Sequence, residues 1–463
     1  MNEPSKHIKM NIINRIYQGV LSIVFISLIL SGCSKDSEDI TENCNPTVIN
    51  DPITRTITYP TGLFSLMYDG ELKGADYWSD EPMILSAGVG FSDINGILSE
   101  TLDEDIVEQA GGAWLSDVNC NDAIFTSASS LDDITNMFEV ATPYGTLKDD
   151  ALGLDGLPIV FSWPVLSNTI DITDFQFTLN TGEIVTPLAA GSMPNYEYNE
   201  RNTIVVFGEF SNRLKSTEPC ARYPIKCEII TDDTPLTLIG PNNELVSAVG
   251  LVWETNSSPY DENNGPRLVG AKLNYVGQEA VGEGLNNTAI ETIMGVFPND
   301  EFALYGGGDF RLRMLTTGGF SPDGVRGLLP TDYEKFFRIH AIGENGETIT
   351  LDEVNTTYQV LGGTLKIIGL SDLGKPESAS ISYNDCYMDD HDNYIDIILV
   401  GDEAAARNIK FLEIPSLAGG YSALYNPGGP GTTPFPNIIY TSPGPPDLEP
   451  VIIALDNPMR ISN

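Results

Sequence analysis

From Ile53 onward the chain is a succession of short apolar runs, each broken by Gly, Pro, Asn or Asp. Punctuation of this kind suits strands joined by turns and leaves little room for long helices. Thr56 to Tyr59, Met83 to Leu85, Ile159 to Phe161, Thr203 to Phe207 and Leu365 to Ile368 read as strands. Three hairpins are legible in detail. Phe175 to Leu179 passes through Asn180-Thr181-Gly182 into Glu183 to Thr186. Leu236 to Ile239 passes through Gly240-Pro241-Asn242-Asn243 into Glu244 to Val249, and Arg338 to Ile342 through Gly343-Glu344-Asn345-Gly346 into Glu347 to Leu351. Each turn places Gly or Asn where positive φ is cheap. Helical signals are short: Leu102 to Gln109, Leu131 to Phe138, Asp332 to Phe337 and Glu403 to Asn408.

The chain's 463 residues exceed the usual size of one core, which predicts two or three domains. Boundaries are expected at 53–150, 151–280 and 281–463, where Gly, Asp and Asn cluster near 148–157 and 277–287. The segment Phe161-Ser162-Trp163-Pro164 to Pro187 loosely resembles the opening strands of immunoglobulin-like sandwiches in secreted bacterial proteins. The expected fold is therefore all-β: two or three sandwich-like, immunoglobulin-like domains with a few short helices. Pro-rich loops near the end, Tyr425 to Gly431 and Ser442 to Pro446, cannot join a central ladder.

With 24 Lys+Arg against 65 Asp+Glu the formal net charge is −41, which argues against a nucleic-acid partner, since phosphates are held by clustered cations. An apolar content of 41% still supplies a core, so wholesale disorder is not expected.

The first 33 residues carry an address. Lys6, Lys9 and Arg15 precede an apolar run from Ile16 to Leu30, and Leu30-Ser31-Gly32-Cys33 follows. That order is an export signal, with an apolar run short for a membrane span. The last four residues resemble the lipobox of bacterial lipoproteins. The resemblance implies removal of residues 1–32, lipidation of Cys33 and membrane attachment through the acylated N-terminus. The acidic Ser-Lys-Asp-Ser-Glu-Asp behind Cys33 looks like surface-export signals of Bacteroidota lipoproteins. It implies an exported, outer-membrane protein, expected at the cell surface on a flexible acidic tether over 33–52.

Five further cysteines remain, Cys44, Cys120, Cys220, Cys227 and Cys386. Cys220 and Cys227 enclose six residues and are a candidate disulfide; Cys120 with Cys386 is the long-range candidate. No CxxC spacing supports zinc or redox chemistry.

The densest concentration of ligand oxygens is Asn384 to Asp396, with five Asp, two Asn and one His in thirteen residues. Ca²⁺ takes six to eight hard oxygen ligands, and Asp389, Asp390, Asp392 and Asp396 are the candidates, Asp390, Asp392 and Asp396 falling on one side of an extended segment. The spacing is not that of an EF-hand. Asp117 and Asn119 flank Cys120, so a Cys120–Cys386 bond would bring both tracts together. A solvated acidic loop explains the same residues without metal.

Catalytic signals are sparse. His340 sits on a strand-like run, Gly319 to Gly324 misses a nucleophile elbow, and Gly306-Gly307-Gly308-Asp309 lacks the Lys of a phosphate loop. Glu197 and Glu200 lie among tyrosines that could stack on sugar. The expected function is a lipid-anchored binding or structural module, calcium-stabilised, with a glycan or protein ligand. The alternative is an extracellular polysaccharide hydrolase using paired carboxylates.

Overall fold

The computed structural model describes residues 75–88, 118–120, 123–125, 155–191, 201–211, 214–259, 261, 267–277, 301–317, 328–375, 388–389, 393–415 and 447–461. All of them lie in one compact unit, Asn45–Asn463, separate from Met1–Cys44. The strands expected at 56–59 and the helices expected at 102–109 and 131–138 lie outside the described residues.

The chain is all-β with a few short helices. Apart from two two-stranded ribbons, the described strands ahead of Leu268 are β1 (Ile84–Ser86), β2 (Asp155–Phe161), β3 (Phe175–Leu179), β4 (Ile184–Val185), β5 (Ala189–Gly191), β6 (Thr203–Gly208), β7 (Pro224–Ile229) and β8 (Val252–Glu254). They form two four-stranded sheets, ordered β1-β2-β6-β5 and β8-β7-β3-β4. Leu157, Ile159, Phe161, Ile204 and Val206 of the first sheet share a core with Phe175, Phe177, Cys227 and Ile229 of the second. The alternation Phe175, Phe177, Leu179 aims every second side chain inward, as period 2 requires.

Nine more strands follow: β9 (Leu268–Tyr275), β10 (Phe310–Thr316), β11 (Arg338–Ile342), β12 (Thr348–Leu351), β13 (Thr357–Val360), β14 (Gly363–Ser371), β15 (Tyr394–Gly401), β16 (Ile409–Ile414) and β17 (Asp447–Ile453). They make a single sheet in the order β12-β11-β16-β17-β9-β10-β15-β14-β13. Only the β9 and β17 neighbours run parallel. The sheet bends round until its ends meet: Val360 of β13 bridges to Gly343, the residue after β11. Leu273, Leu312, Ile339, Leu351, Ile367, Ile397 and Leu412 fill the enclosed core. Thus Leu268–Tyr275, which precedes the Gly277 to Asn287 stretch, belongs to the C-terminal sheet. Helices α1 (Glu301–Tyr305), α2 (Tyr333–Phe336) and α3 (Glu403–Ala406) are single turns.

All three expected hairpins form. β3 pairs with β4 across Gly182 at φ 83°, and β11 with β12 across Gly346 at φ 86°. Thr237–Ile239 pairs with Leu245–Ser247 across Asn242 and Asn243, both at φ 61°.

β2 is buried on both faces. Leu157, Ile159 and Phe161 enter the first core, while Val160 turns the other way, onto Trp78, Leu315 and Tyr394. The β1-β2-β6-β5 sheet therefore lies between its own core and the outer face of the nine-stranded sheet. Trp78 closes that contact against Gly270, where an added Cβ would come within 2.6 Å of the indole. Gly270→Ala is accordingly expected to cost about 1–3 kcal/mol by overpacking, seen as a lower denaturant midpoint at unchanged slope.

Candidate functional site

Along β9, β10 and β15 the residues facing the core are apolar, and the opposite face carries Lys272, Arg311, Arg313 and Asp396 beside the apolar contact of Leu315 and Tyr394. The ladder registers set Lys272 opposite Arg313, Arg313 opposite Asp396, and Asp396 opposite Ser371, so one row of polar side chains crosses four strands. This face is covered: Lys272, Arg311, Arg313, Asp396 and Asp372 are all buried. Buried charge is tolerated only when paired, and here the pairing is dense. Arg313 grips Asp396 with two bonds of 2.8 and 2.7 Å, and reaches Asp372 at 2.8 Å and Asp76 at 3.1 Å. Arg311 Nε lies 2.8 Å from Asp396, and its Nη2 contacts Glu301 of α1. Lys272 contacts Asp76, to which Arg460 also donates at 3.0 Å. Four cations thus meet four carboxylates, and the layer is neutral inside a strongly acidic chain. Asp372 follows β14 at φ 62°, a left-handed conformation that Asp tolerates.

This placement corrects one expected metal ligand. Asp396 has no exposed surface, and both its oxygens are taken by guanidinium groups, whose charge would repel a cation. Asp389 lies on Met388–Asp389, paired with Gly374–Lys375, and Asn119 on Val118–Cys120, paired with Ala123–Phe125. Asp117, Asp390, Asp392, Cys386, Glu197 and Glu200 lie outside the described residues, as do Cys33 and Cys44. No cluster of three or more metal-ligating His, Cys, Asp or Glu occurs among the described residues.

The Cys220–Cys227 pairing is also corrected. Cys227 is a free thiol on the inward face of β7, packed among Phe175, Phe177 and Ile229, and burial pushes its titration well up. Cys220 is disulfide-bonded, to a cysteine other than Cys227. His340 is held on the outer face between Glu413 on Nε2 and Thr350 at 3.2 Å from Nδ1.

Among the described residues, an open cleft of about 660 Å³ lies at the end of β9 and β10. Its wall is Gly306-Gly307-Gly308, with φ of 73° and 99° at the first two. Gly308 presses on Ile398, where a Cβ would come within 2.5 Å, so the backbone itself lines the cleft. Tyr275 and Phe310 form an aromatic side with ring centroids 5.6 Å apart, Phe310 buried and Tyr275 44% exposed. Phe302 of α1 also faces it.

Two carboxylates border the cleft, and both are engaged. Asp309 accepts the Gly401 N–H at 2.8 Å. Glu403 accepts from the Tyr275 hydroxyl and pairs with Arg407 at 2.7 Å, which Asp456 holds in turn at 2.8 Å. The Tyr275 bond, then Arg407, keeps Glu403 below its ordinary titration range, and the same bond raises Tyr275. Glu403 therefore stays ionised and is badly placed to donate a proton at neutral pH.

Neither feature is marked in the sequence. The glycine run lacks the Lys of a phosphate loop, and the alternating charges of Phe310-Arg311-Leu312-Arg313 look like an ordinary solvent face. Removing the guanidinium leaves three buried carboxylates without their shared partner, so Arg313→Met is expected to destabilise the fold by about 3–5 kcal/mol, measured by urea unfolding. A loss below about 1 kcal/mol would mean the layer is not stabilised in this way. No protein-family model, curated protein or solved structure matches the chain.

Proposed function

We propose that this is a lipid-anchored binding module of the bacterial outer surface that holds a neutral oligosaccharide in the Tyr275 cleft. The address rests on the N-terminal series of basic, apolar and Leu30-Ser31-Gly32-Cys33 segments, with the acidic tether behind it. The ligand class rests on one observation: a half-exposed tyrosine ring beside a wall of glycine backbone, with the neighbouring carboxylates already committed. Flat ring faces suit the C–H faces of a pyranose, and bare backbone offers N–H and C=O groups for its hydroxyls.

Hydrolysis is the weaker reading, because a glycosidase needs one carboxyl that keeps its proton near neutral pH, whereas Glu403 is pulled the other way. The immunoglobulin-like sandwich is carried over for the two four-stranded sheets as part of the same proposal. Calcium keeps a loop-stiffening role at Asp389, Asp390, Asp392, Asp117 and Asn119, with Asp396 removed from the set.

A glycan array screened with the purified protein is expected to yield neutral oligosaccharide hits. Tyr275→Ala should then weaken the best hit by roughly fivefold, about 1 kcal/mol for one lost ring contact; equal binding by the variant would exclude the cleft. EGTA is expected to lower the melting temperature by several degrees, and an unchanged melt would remove calcium from the proposal.

A further inference from the structure

Three of the four cations in the buried layer are arginines. The fourth, Lys272, is the one able to lose its proton inside a protein. Its ammonium group is fully buried, in contact with Asp76 Oδ1, 2.9 Å from the Met459 carbonyl, 3.3 Å from that of Tyr77, and 4.8 Å from the centre of the Trp78 ring. Asp76 is equally buried. Arg313 Nη1 donates to Asp76 Oδ2 at 3.1 Å, and Arg460 Nε to Oδ1 at 3.0 Å.

We propose that Lys272 Nζ and Asp76 Cγ condense into an intramolecular isopeptide bond, joining the segment before β1 to the centre of the nine-stranded sheet. The reaction needs no co-reactant. The ammonium passes one proton to the carboxylate, and the free amine attacks Cγ. The C–N bond forms as one C–O bond breaks, and that oxygen leaves as water with the amine's surplus proton. One positive and one negative charge vanish together, so the layer stays neutral, with three arginines left against three carboxylates.

In water such a pair is inert, because an ammonium is no nucleophile and a carboxylate is a poor electrophile. Burial opposes both charges, and desolvation pulls Lys272 down to about 8 despite Asp76 beside it. The two groups are held in contact by separate elements, which removes the entropic part of the barrier. Arg313 and Arg460 supply fixed donors at the carboxyl oxygens, where negative charge gathers in the tetrahedral intermediate. The linked residues are 196 positions apart in sequence, so the bond would close a large loop of the unfolded chain.

The test is intact mass under denaturing conditions, comparing the wild type with Lys272→Arg and Asp76→Ala from the same host, so that N-terminal processing cancels. After allowing for the substitutions, the wild type is expected to be lighter than either variant by one water. Proteolysis of the wild type should yield a branched peptide joining Asp76 to Lys272. Because the masses are read on denatured chains, a variant that folds poorly still serves as the control. Wild-type protein at full mass would overturn the proposal, and so would a water loss mapped to any other residue pair.

Discussion

A guanidinium group with no access to water must find its full complement of acceptors inside the protein, and Arg313 finds them on three carboxylates from three parts of the chain. Asp396 comes from the adjacent strand, Asp372 from the turn after β14, and Asp76 from the segment ahead of β1. Because an unpaired charge in this position would cost several kcal/mol, the three segments have to arrive together. The nine-stranded sheet gains a second packed face by this means, and the smaller sheets acquire a fixed seat against it through Val160, Leu315, Tyr394 and Trp78.

The same constraint explains why so acidic a chain tolerates this interior. Its excess negative charge lies elsewhere, while the layer balances four cations with Asp396 from the adjacent strand and with Asp76, Asp372 and Glu301 brought in from outside the ladder. Surface repulsion favours solubility and weakens compactness. A neutral, mutually bonded interior offsets that tendency where the two cores meet. The cleft is a by-product of the same strands: β9 and β10 deliver Tyr275 and Phe310 to its rim from their ends nearest the glycine run.

Local features were legible in the sequence and distant ones were not. The hairpins at Gly182, Asn242 and Gly346 could be read because turn chemistry and alternation lie within a dozen residues of each other. Arg311 and Arg313 alternate with apolar residues as a half-exposed strand would. Nothing nearby says that this face is roofed, since Asp76 and Arg460 sit far away in sequence. Asp396 shows the difference well: its one-sided spacing fits ligand geometry, but the partner is a guanidinium from another strand. Proximity along the chain suggests a Cys220–Cys227 pair, whereas β7 turns the Cys227 side chain into the core. Tyr275, Gly306 and Glu403 become one site only after β9, α1 and α3 converge.

If the charged layer ties the two cores together, they unfold as one cooperative body. Native-state hydrogen exchange read by mass spectrometry at increasing denaturant tests this most directly. The amides of β2 and β6 should then converge on the same opening free energy as those of β9, β10 and β15. Contradiction would come from β2 and β6 exchanging through a separate, lower-energy opening while the nine-stranded sheet stays protected.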